Sequence, residues 1–594
     1  MSVPRPLYLE AAGHACAAWW HAPAALAAPP LPLAAVLASS WGEEDVESYD
    51  DQRALAAALA DAGIGVLRFE WPDVGDSSAH TGAATVADAL AAFECAAEVA
   101  RQRSGQARLA FVGLRLGALI AAHAAVVRCD VDALVALLPV ANGRAFVREG
   151  RMLGAEGEAM QGRDEISGAL MFGGFALPQP RATELAALHW PTTSATTITD
   201  AFILSRPGSP ALPCADALAR MGVRVREWAE IGSTTSEVRV APGAIPEVVR
   251  WLRERALDPA AAPHAPPPER ASATSSILHA SLRRAVVRER LCEIAMPRAN
   301  GELASTLVGV LSERDQGTVA PEGADGERPA RRGLLLLASG DSRRIGPHRL
   351  WVGFARERAA RGDVVLRLDL AGRGDSEARP AREADADSEP DPFDPRCVDD
   401  IARAIAWLRR EHGVGPCTVM GLGLGAHHAW RAALYGIDLQ HVVAINPPVF
   451  QRSPEAPAFE RVPLSVTEYL LARARRALGM RGRDPGQLVP PPLREDLHAE
   501  LAHVSRRGVA LDFVFSEGEP GTALLRESAP RGGLHRRRDG PIRVSEIVRA
   551  DATFARPAAR STLYARLDEL LETRGETPEL DASDLLAPRA AAHT

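Results

Sequence analysis

The chain contains no lysine: all 68 of its basic residues are arginine. Together with abundant Ala and Pro, this reads as the coding bias of a GC-rich genome rather than a device for gripping phosphate. Cysteine is scarce, 7 residues in 594, with no Cys-x-x-Cys pair and no His at ligand spacing. That excludes a structural metal site and leaves buried, reduced thiols as the expectation. There is no basic excess, since the formal net charge is −8. This argues against nucleic acid, whose binding needs a basic face to release counterions. No apolar run approaches the roughly 20 residues that cross a bilayer. Met1–Gly13 shows no basic segment leading into an apolar one, so no secretory signal is expected. The expected location is cytoplasmic, with no membrane span. Neither Gly-rich turn has the three-glycine spacing of a dinucleotide fingerprint, and no cofactor is expected.

What is present is a repeat. Val66–Ser77 reads VLRFEWPDVGDS and Val365–Ser376 reads VLRLDLAGRGDS. Each follows a helical stretch ending in Gly, and each precedes a copy of Gly-Leu-Xaa-Leu-Gly-Ala, at Gly113–Ala118 and Gly421–Ala426. Short apolar runs alternate with helical periods in the same order in both halves, which predicts a mostly parallel sheet with helices on both faces, built twice. In the first half the expected elements include strands Leu33–Ala38 and Val66–Glu70 and a helix over Asp50–Ala62. Candidate last strands are Val223–Trp228 and Val238–Val240. Asn300-Gly301 between two alternating runs predicts an antiparallel hairpin leading into the second sheet.

The predicted organisation is a first domain over 1–258 with a cap at about 150–197, then a Pro/Ala-rich linker over 259–275. A second domain spans 276–573 with a cap at about 450–497, and 574–594 is a flexible tail. Size agrees, because 594 residues exceed one ordinary core.

The repeated Gly-Leu-Xaa-Leu-Gly-Ala has the frame of a nucleophile elbow, the strand-to-helix turn that lifts a catalytic side chain above a sheet. Such a site needs Ser, Cys or Asp at the apex, an acid after a late strand and a His after the last one. The apex is Arg115 in the first copy and Gly423 in the second. Arg115 stays protonated and cannot attack. It either anchors an anionic ligand or pairs with a local carboxylate such as Glu70 or Asp76. In the second half Glu517 and Glu519 stand at the acid position, and Ala552 occupies the turn where the His belongs. His427 and His428 follow the elbow and either face the pocket as ligand-binding groups or pack. Ser77 and Ser376 lie in turns without a visible base. Gly340–Pro347 offers an anion nest or an ordinary loop, and the basic run Arg531–Arg538 reads as solvated.

These segments resemble the α/β-hydrolase superfamily, within it the serine-aminopeptidase-like hydrolases associated with the exosortase A system. The first half carries the resemblance in WGEE at Trp41–Glu44, in Val66–Ser77, in Gly113–Ala118 and in LLPVANGRAFVRE at Leu138–Glu149. The second carries it in IGPHRL at Ile345–Leu350, in Leu366–Ser376 and in DATF at Asp551–Phe554. The resemblance implies two tandem α/β-hydrolase-like domains. It implies that Arg115 is usual for its group, whereas Gly423 and Ala552 replace a Cys or Ser nucleophile and a His. It also implies an acyl or carboxylate ligand, or an acyl-carrier protein as partner, in an exopolysaccharide or secondary-metabolite pathway. Three functions stand open on this reading: a catalytically degenerate binding protein, a hydrolase with a non-standard nucleophile, and a structural partner in which the two domains pack as a pseudo-dimer.

Overall fold

The structure, a computed structural model, describes residues 4–575 apart from 25–29, 79–83, 129, 162–168, 173, 193–196, 206–212, 230–237, 259–272, 283–284, 298–302, 316–330, 341, 380–390, 449–496 and 529–541. Most of the linker, nearly all of the 450–497 cap, Arg531–Arg538 and the tail from 576 lie outside the described residues.

The strands of the first half are β1 (Arg5–Ala11), β2 (His14–His21), β3 (Ala34–Ala38), β4 (Gly65–Phe69), β5 (Leu109–Leu114) and β6 (Val131–Leu137). A separate hairpin, β7 (Ala169–Phe172) with β8 (Phe175–Pro178), lies in the cap region, followed by β9 (Asp200–Ser205), β10 (Arg224–Ala229) and β11 (Ala273–Ser275). The second half supplies β12 (Ile277–Leu282), β13 (Ala285–Pro297), β14 (Leu303–Arg314), β15 (Arg331–Leu337) and β16 (Val364–Leu368). It continues with β17 (Val414–Leu422), β18 (His441–Ile445), β19 (Ala510–Ser516) and β20 (Ile542–Ile547).

Two nine-stranded sheets result, ordered β10-β9-β6-β5-β3-β4-β2-β1-β11 and β12-β13-β14-β16-β15-β17-β18-β19-β20. In both, an antiparallel pair leads into a parallel series in which the later of two consecutive strands lies nearer the antiparallel edge. The two halves therefore have one topology. Parallel strands covered on both faces must be apolar throughout, and β3, β4, β5 and β6 are buried along their whole lengths.

Several elements differ from the sequence reading for identifiable reasons. The N-terminal hairpin β1–β2 carries no alternation to betray it, because every residue of β2 is buried. Its turn is Ala12-Gly13, both at positive φ, which matches the twist of paired strands. The first long helix runs over Glu43–Asp61, starting before the expected Asp50. Gly42 breaks the chain ahead of it, and Glu43, Glu44 and Asp45 favour the positive end of the helix dipole. Val238–Val240 forms no strand; its amides donate to Glu47 (2.9 Å) and Asp51 (2.8 Å) on that helix. The end of the expected linker, Ala273–Ser275, is β11, paired with β1, and only Ser276 separates it from β12 at the edge of the other sheet.

The halves meet through a buried ionic network with matched ends. Arg68 on β4 donates to Asp375 (2.5 Å), and Arg367 on β16 donates to Asp76. Each arginine comes from the Val-Leu-Arg segment of one half and each aspartate from the Gly-Asp-Ser turn of the other. Arg344 joins Asp76 (2.7 Å), Asp369 (2.5 Å) and Asp375 (2.9 Å). Arg343 stacks 3.7 Å above the Tyr49 ring and pairs with Glu70 (2.5 Å) and Asp45 (3.3 Å). Arg349 donates to three carbonyls of the first half, those of Asp73, Gly75 and Ser77. Around these groups the first-half side chains Tyr8, Ala17 and Trp19 share a core with Leu278, Val287, Trp351 and Phe354 of the second.

Burial pushes the carboxyls of Asp76 and Asp375 up, but the arginines outweigh it. Arg344 and Arg367 bring Asp76 down to about 2, and Arg68 and Arg344 hold Asp375 well below the usual carboxylate range. The charges also complement each other. The first half brings Asp45, Glu70 and Asp76 against Arg68, while the second brings Arg343, Arg344, Arg356 and Arg367 against Glu289, Asp369 and Asp375. Removing one partner of such a pair strands a charge without water. Arg68→Met is expected to lower stability by about 3–5 kcal/mol. The exposed Arg250→Ala should stay within about 0.5 kcal/mol of the parent. Denaturant unfolding monitored by tryptophan fluorescence checks this, and equal midpoints for the two variants would contradict it.

Candidate functional site

Both elbows keep the strained backbone of a nucleophile turn. Arg115 sits at φ 53°, ψ −117° and Gly423 at φ 56°, ψ −119°, each immediately before a helix. For an arginine this is a sparsely populated region, held in place by its surroundings. The Arg115 amide donates to Leu137 (2.9 Å) and the Gly423 amide to Ile445 (2.8 Å), so each turn is tied to the neighbouring strand in the same way. Glycine opens each motif because the helix crosses there. A Cβ on Gly113 would stand 2.4 Å from Ala118 Cα, and one on Gly421 would stand 2.1 Å from the Gly425 carbonyl oxygen.

In the first half, Arg115 is held between two carboxylates. Its Nε donates to Glu44 (3.0 Å), and its Nη2 pairs with Glu149 and again with Glu44 (2.9 Å). Burial works against its charge, and Glu44 and Glu149 more than compensate, raising its pKa. Glu70 and Asp76, the local carboxylates expected as its partners, are instead turned toward the second half. Glu70 also accepts the Asp76 amide (2.6 Å), as Asp369 accepts the Asp375 amide (3.1 Å), which fixes both Gly-Asp-Ser turns. The serines of those turns are ties as well. Ser77 accepts from the Ala17 amide (3.0 Å) and Ser376 from the Val308 amide (2.8 Å).

The second locus is assembled from the ends of β18 and β19 and the turn after β20. Asn446, at φ 47° on the end of β18, takes up its centre. Its side-chain amide donates to Ser516 (3.2 Å) and to the Ala552 carbonyl (3.1 Å), and its Oδ1 accepts the Ser516 amide (2.8 Å). The turn expected to carry a His is thus pinned to the strand expected to carry the acid. Glu517 lies beside that turn and accepts the Arg549 amide (2.6 Å). For Glu519 the structure shows a backbone role, its amide donating to Ser516 and its carbonyl accepting from Thr522 (3.2 Å). A Cβ at Gly423 would stand 2.7 Å from Ser339 Oγ, so Ser339 occupies the space a side chain at the apex would enter.

The two histidines of the following helix pack against a neighbouring loop. The His427 ring meets Phe393 edge-on at 5.0 Å, and His428 Nε2 lies 3.1 Å from the Pro392 carbonyl. Burial, reinforced by His427, pulls His428 down to about 3, leaving it neutral near pH 7. Among the described residues no cluster of His, Cys, Asp and Glu has the form of a metal site, and no helix is long and apolar enough to cross a membrane.

The cap hairpin reaches both halves. Phe172 and Phe175 meet Trp41 edge-on at 5.5 and 6.2 Å, and Phe175 meets His348 of the second half at 5.4 Å. No sequence signal pointed to this hairpin, whose strands are four residues each.

Residues 335–589 match the model of the Alpha/beta hydrolase family. That match lies within the second half, whose strand order the first half shares. Solved structures similar to it include Est1E from Butyrivibrio proteoclasticus, at 17% identity and TM-score 0.32 over 43% of this chain and 98% of that one. Esterase Pf2001 of Pyrococcus furiosus is similar at 14% identity and TM-score 0.29, over 48% of this chain and 92% of that one. The α/β hydrolase GrgF from Penicillium is similar at 17% identity and TM-score 0.30, over 48% and 99%. No curated protein matches the sequence.

Arg115 is held as a structural cation between two acids, which has a measurable consequence. Arg115→Ala leaves Glu44 and Glu149 facing each other and is expected to cost about 1–3 kcal/mol of stability. Glu149→Gln in the Arg115→Ala background should recover part of that loss. Equal stability of Arg115→Ala and the parent in urea titration would refute the pairing.

Proposed function

We propose that this protein is a catalytically silent pair of α/β-hydrolase domains. In this reading it binds an acyl or carboxylate-bearing ligand, or an acyl-carrier protein presenting one, in a bacterial exopolysaccharide or secondary-metabolite pathway. The observation that carries the silence is that both elbows retain the nucleophile backbone while neither apex has a nucleophile. At the second, Ala552 leaves no imidazole, and Asn446 ties its turn in place. Acyl transfer by this fold needs a nucleophile, a base to take its proton and an acid to orient the base. Only carboxylates such as Glu517 remain. The ligand class rests on the resemblance to exosortase-associated hydrolases and on the arginines placed near the strand ends.

One observation favours a second reading. Ser339 stands where the elbow side chain would be, and an active ester, thioester or amide hydrolase would use it as a displaced nucleophile. The silent reading predicts no turnover above buffer with short and medium acyl esters and thioesters. It also predicts none for Gly423→Ser, whose added side chain meets Ser339 and still finds no His. Turnover by the parent that disappears in Ser339→Ala would overturn the silent reading and establish the second.

A further inference from the structure

β13 runs on beyond its outer partner. β12 covers it only as far as Arg290, and among the described residues no strand pairs with that side of Leu291–Pro297. β11, which precedes β12 by Ser276 alone, pairs with β1 instead. Between the uncovered edge and the helix Cys397–His412 lies a solvent-open cleft of about 320 Å³, within the range that small-molecule sites occupy. Glu293, Ile294 and Ala295 of β13 form one wall, and Arg403, Ala406, Trp407 and Arg410 of the helix form the other. No residue of either elbow lines it.

The helix wall has one chemistry in its middle and another on its flanks. Arg403, Ala406, Trp407 and Arg410 follow the i, i+3, i+4, i+7 spacing that gathers side chains on one helix face. Trp407 is half-buried, its ring meeting that of His412 at 4.8 Å, and Ala406 is exposed beside it. With Ile294 they make an apolar middle, and the two arginines stand on either side of it, about 10 Å apart along the helix. Among the described residues the Arg403 guanidinium makes no hydrogen bond or ion pair, and its charge acts on Asp399 one turn back. Arg410 gives its Nε to Glu411 (2.7 Å). The acid of the lining is turned away from this face. Cys292 and Ile294 enter the core beside Val398 and Ile401 of the helix, so alternation along the strand sends the Glu293 side chain to the other face. There burial and Glu377 push its carboxyl up, and Arg5 pulls it down.

We propose that this cleft binds a carboxylate with a medium-length apolar body, its carboxylate on Arg403 and its body between Trp407, Ala406 and Ile294. This rests on the binding role proposed above and gives that role a site other than Arg115, whose charge Glu44 and Glu149 already meet. The division of labour follows from exposure. An ion pair open to water contributes at most a few-fold in affinity, so the apolar body carries most of the binding and Arg403 selects the acid over a neutral analogue. Arg410 adds positive charge at the far side of the apolar middle, which favours an anion of either orientation over a cation.

Calorimetric titration of the full chain at constant ionic strength tests this, with octanoate, acetate and octanamide in separate arms. Octanoate is expected to bind saturably and roughly tenfold or more tighter than acetate, a factor that burying two methylenes already supplies. Octanamide, and octanoate with Arg403→Gln, should bind about three- to fivefold more weakly than octanoate with the parent. Ala406→Glu sets a longer, negatively charged side chain on the cleft wall and should weaken octanoate by roughly tenfold or more. Ala406 is exposed on its helix, so this variant is expected to fold, as circular dichroism checks. Arg250→Ala, which removes an exposed arginine outside the cleft, should leave binding unchanged. No saturable octanoate binding, or equal affinity of octanoate and octanamide, would overturn the proposal. Octanoate binding that survives Ala406→Glu would overturn this site and leave the binding role in place. Ester turnover, by contrast, would defeat the silent reading and leave this site standing.

Discussion

The reciprocal exchange of Arg68 with Asp375 and Arg367 with Asp76 is the constraint on which the rest of the structure depends. These four side chains are at most 2% exposed. Charges buried to that degree are tolerable only when paired and hydrogen-bonded, because the cost of drying each ion is several kcal/mol. Each half therefore depends on the other to neutralise what it buries. The dependence is not symmetric in sign. Two copies of the first half would bring together Asp45, Glu70 and Asp76 twice over with only Arg68 to answer them, whereas the second half supplies Arg343 and Arg344 at that place. The pairing is specific to two unlike halves, which accounts physically for their sharing one chain.

That constraint also shapes the site. In a working enzyme of this fold, the loops at the strand ends position substrate and oxyanion donors. Here the loops after β3, β4, β15 and β16 are drawn into the contact between halves. Asp45 and Glu70 point across it, and so do Arg343 and Arg344. The elbows survive as strained turns because strand-to-strand hydrogen bonds and close glycine packing hold them, and neither support requires a reactive apex.

Much of the parallel core was legible in the sequence, since β3, β4, β5 and their counterparts are short apolar runs ahead of glycine-bearing turns. The elbows were legible for the same reason: their spacing reflects a helix crossing a strand at backbone distance. The β1–β2 hairpin was not, because burial on both faces erased the alternation that marks a strand. Nor were the partners of Arg115. Glu149, 34 residues from Arg115, lies in a helix beyond the next strand, and Glu44 precedes the elbow by several elements, so only the fold brings either of them to the apex. The repeated Gly-Asp-Ser turns were visible as a repeat, but their meaning as ties between halves emerges only when the second half is placed against the first.

The central claim is that the two halves form one folding unit locked by this buried ionic exchange. Scanning calorimetry of the full chain near pH 7, compared with Asp375→Asn, tests it most directly. The account predicts one transition whose calorimetric and van't Hoff enthalpies agree, moved as a whole to lower temperature by Asp375→Asn. Two separate transitions, with only the second half's peak shifted by the substitution, would contradict it.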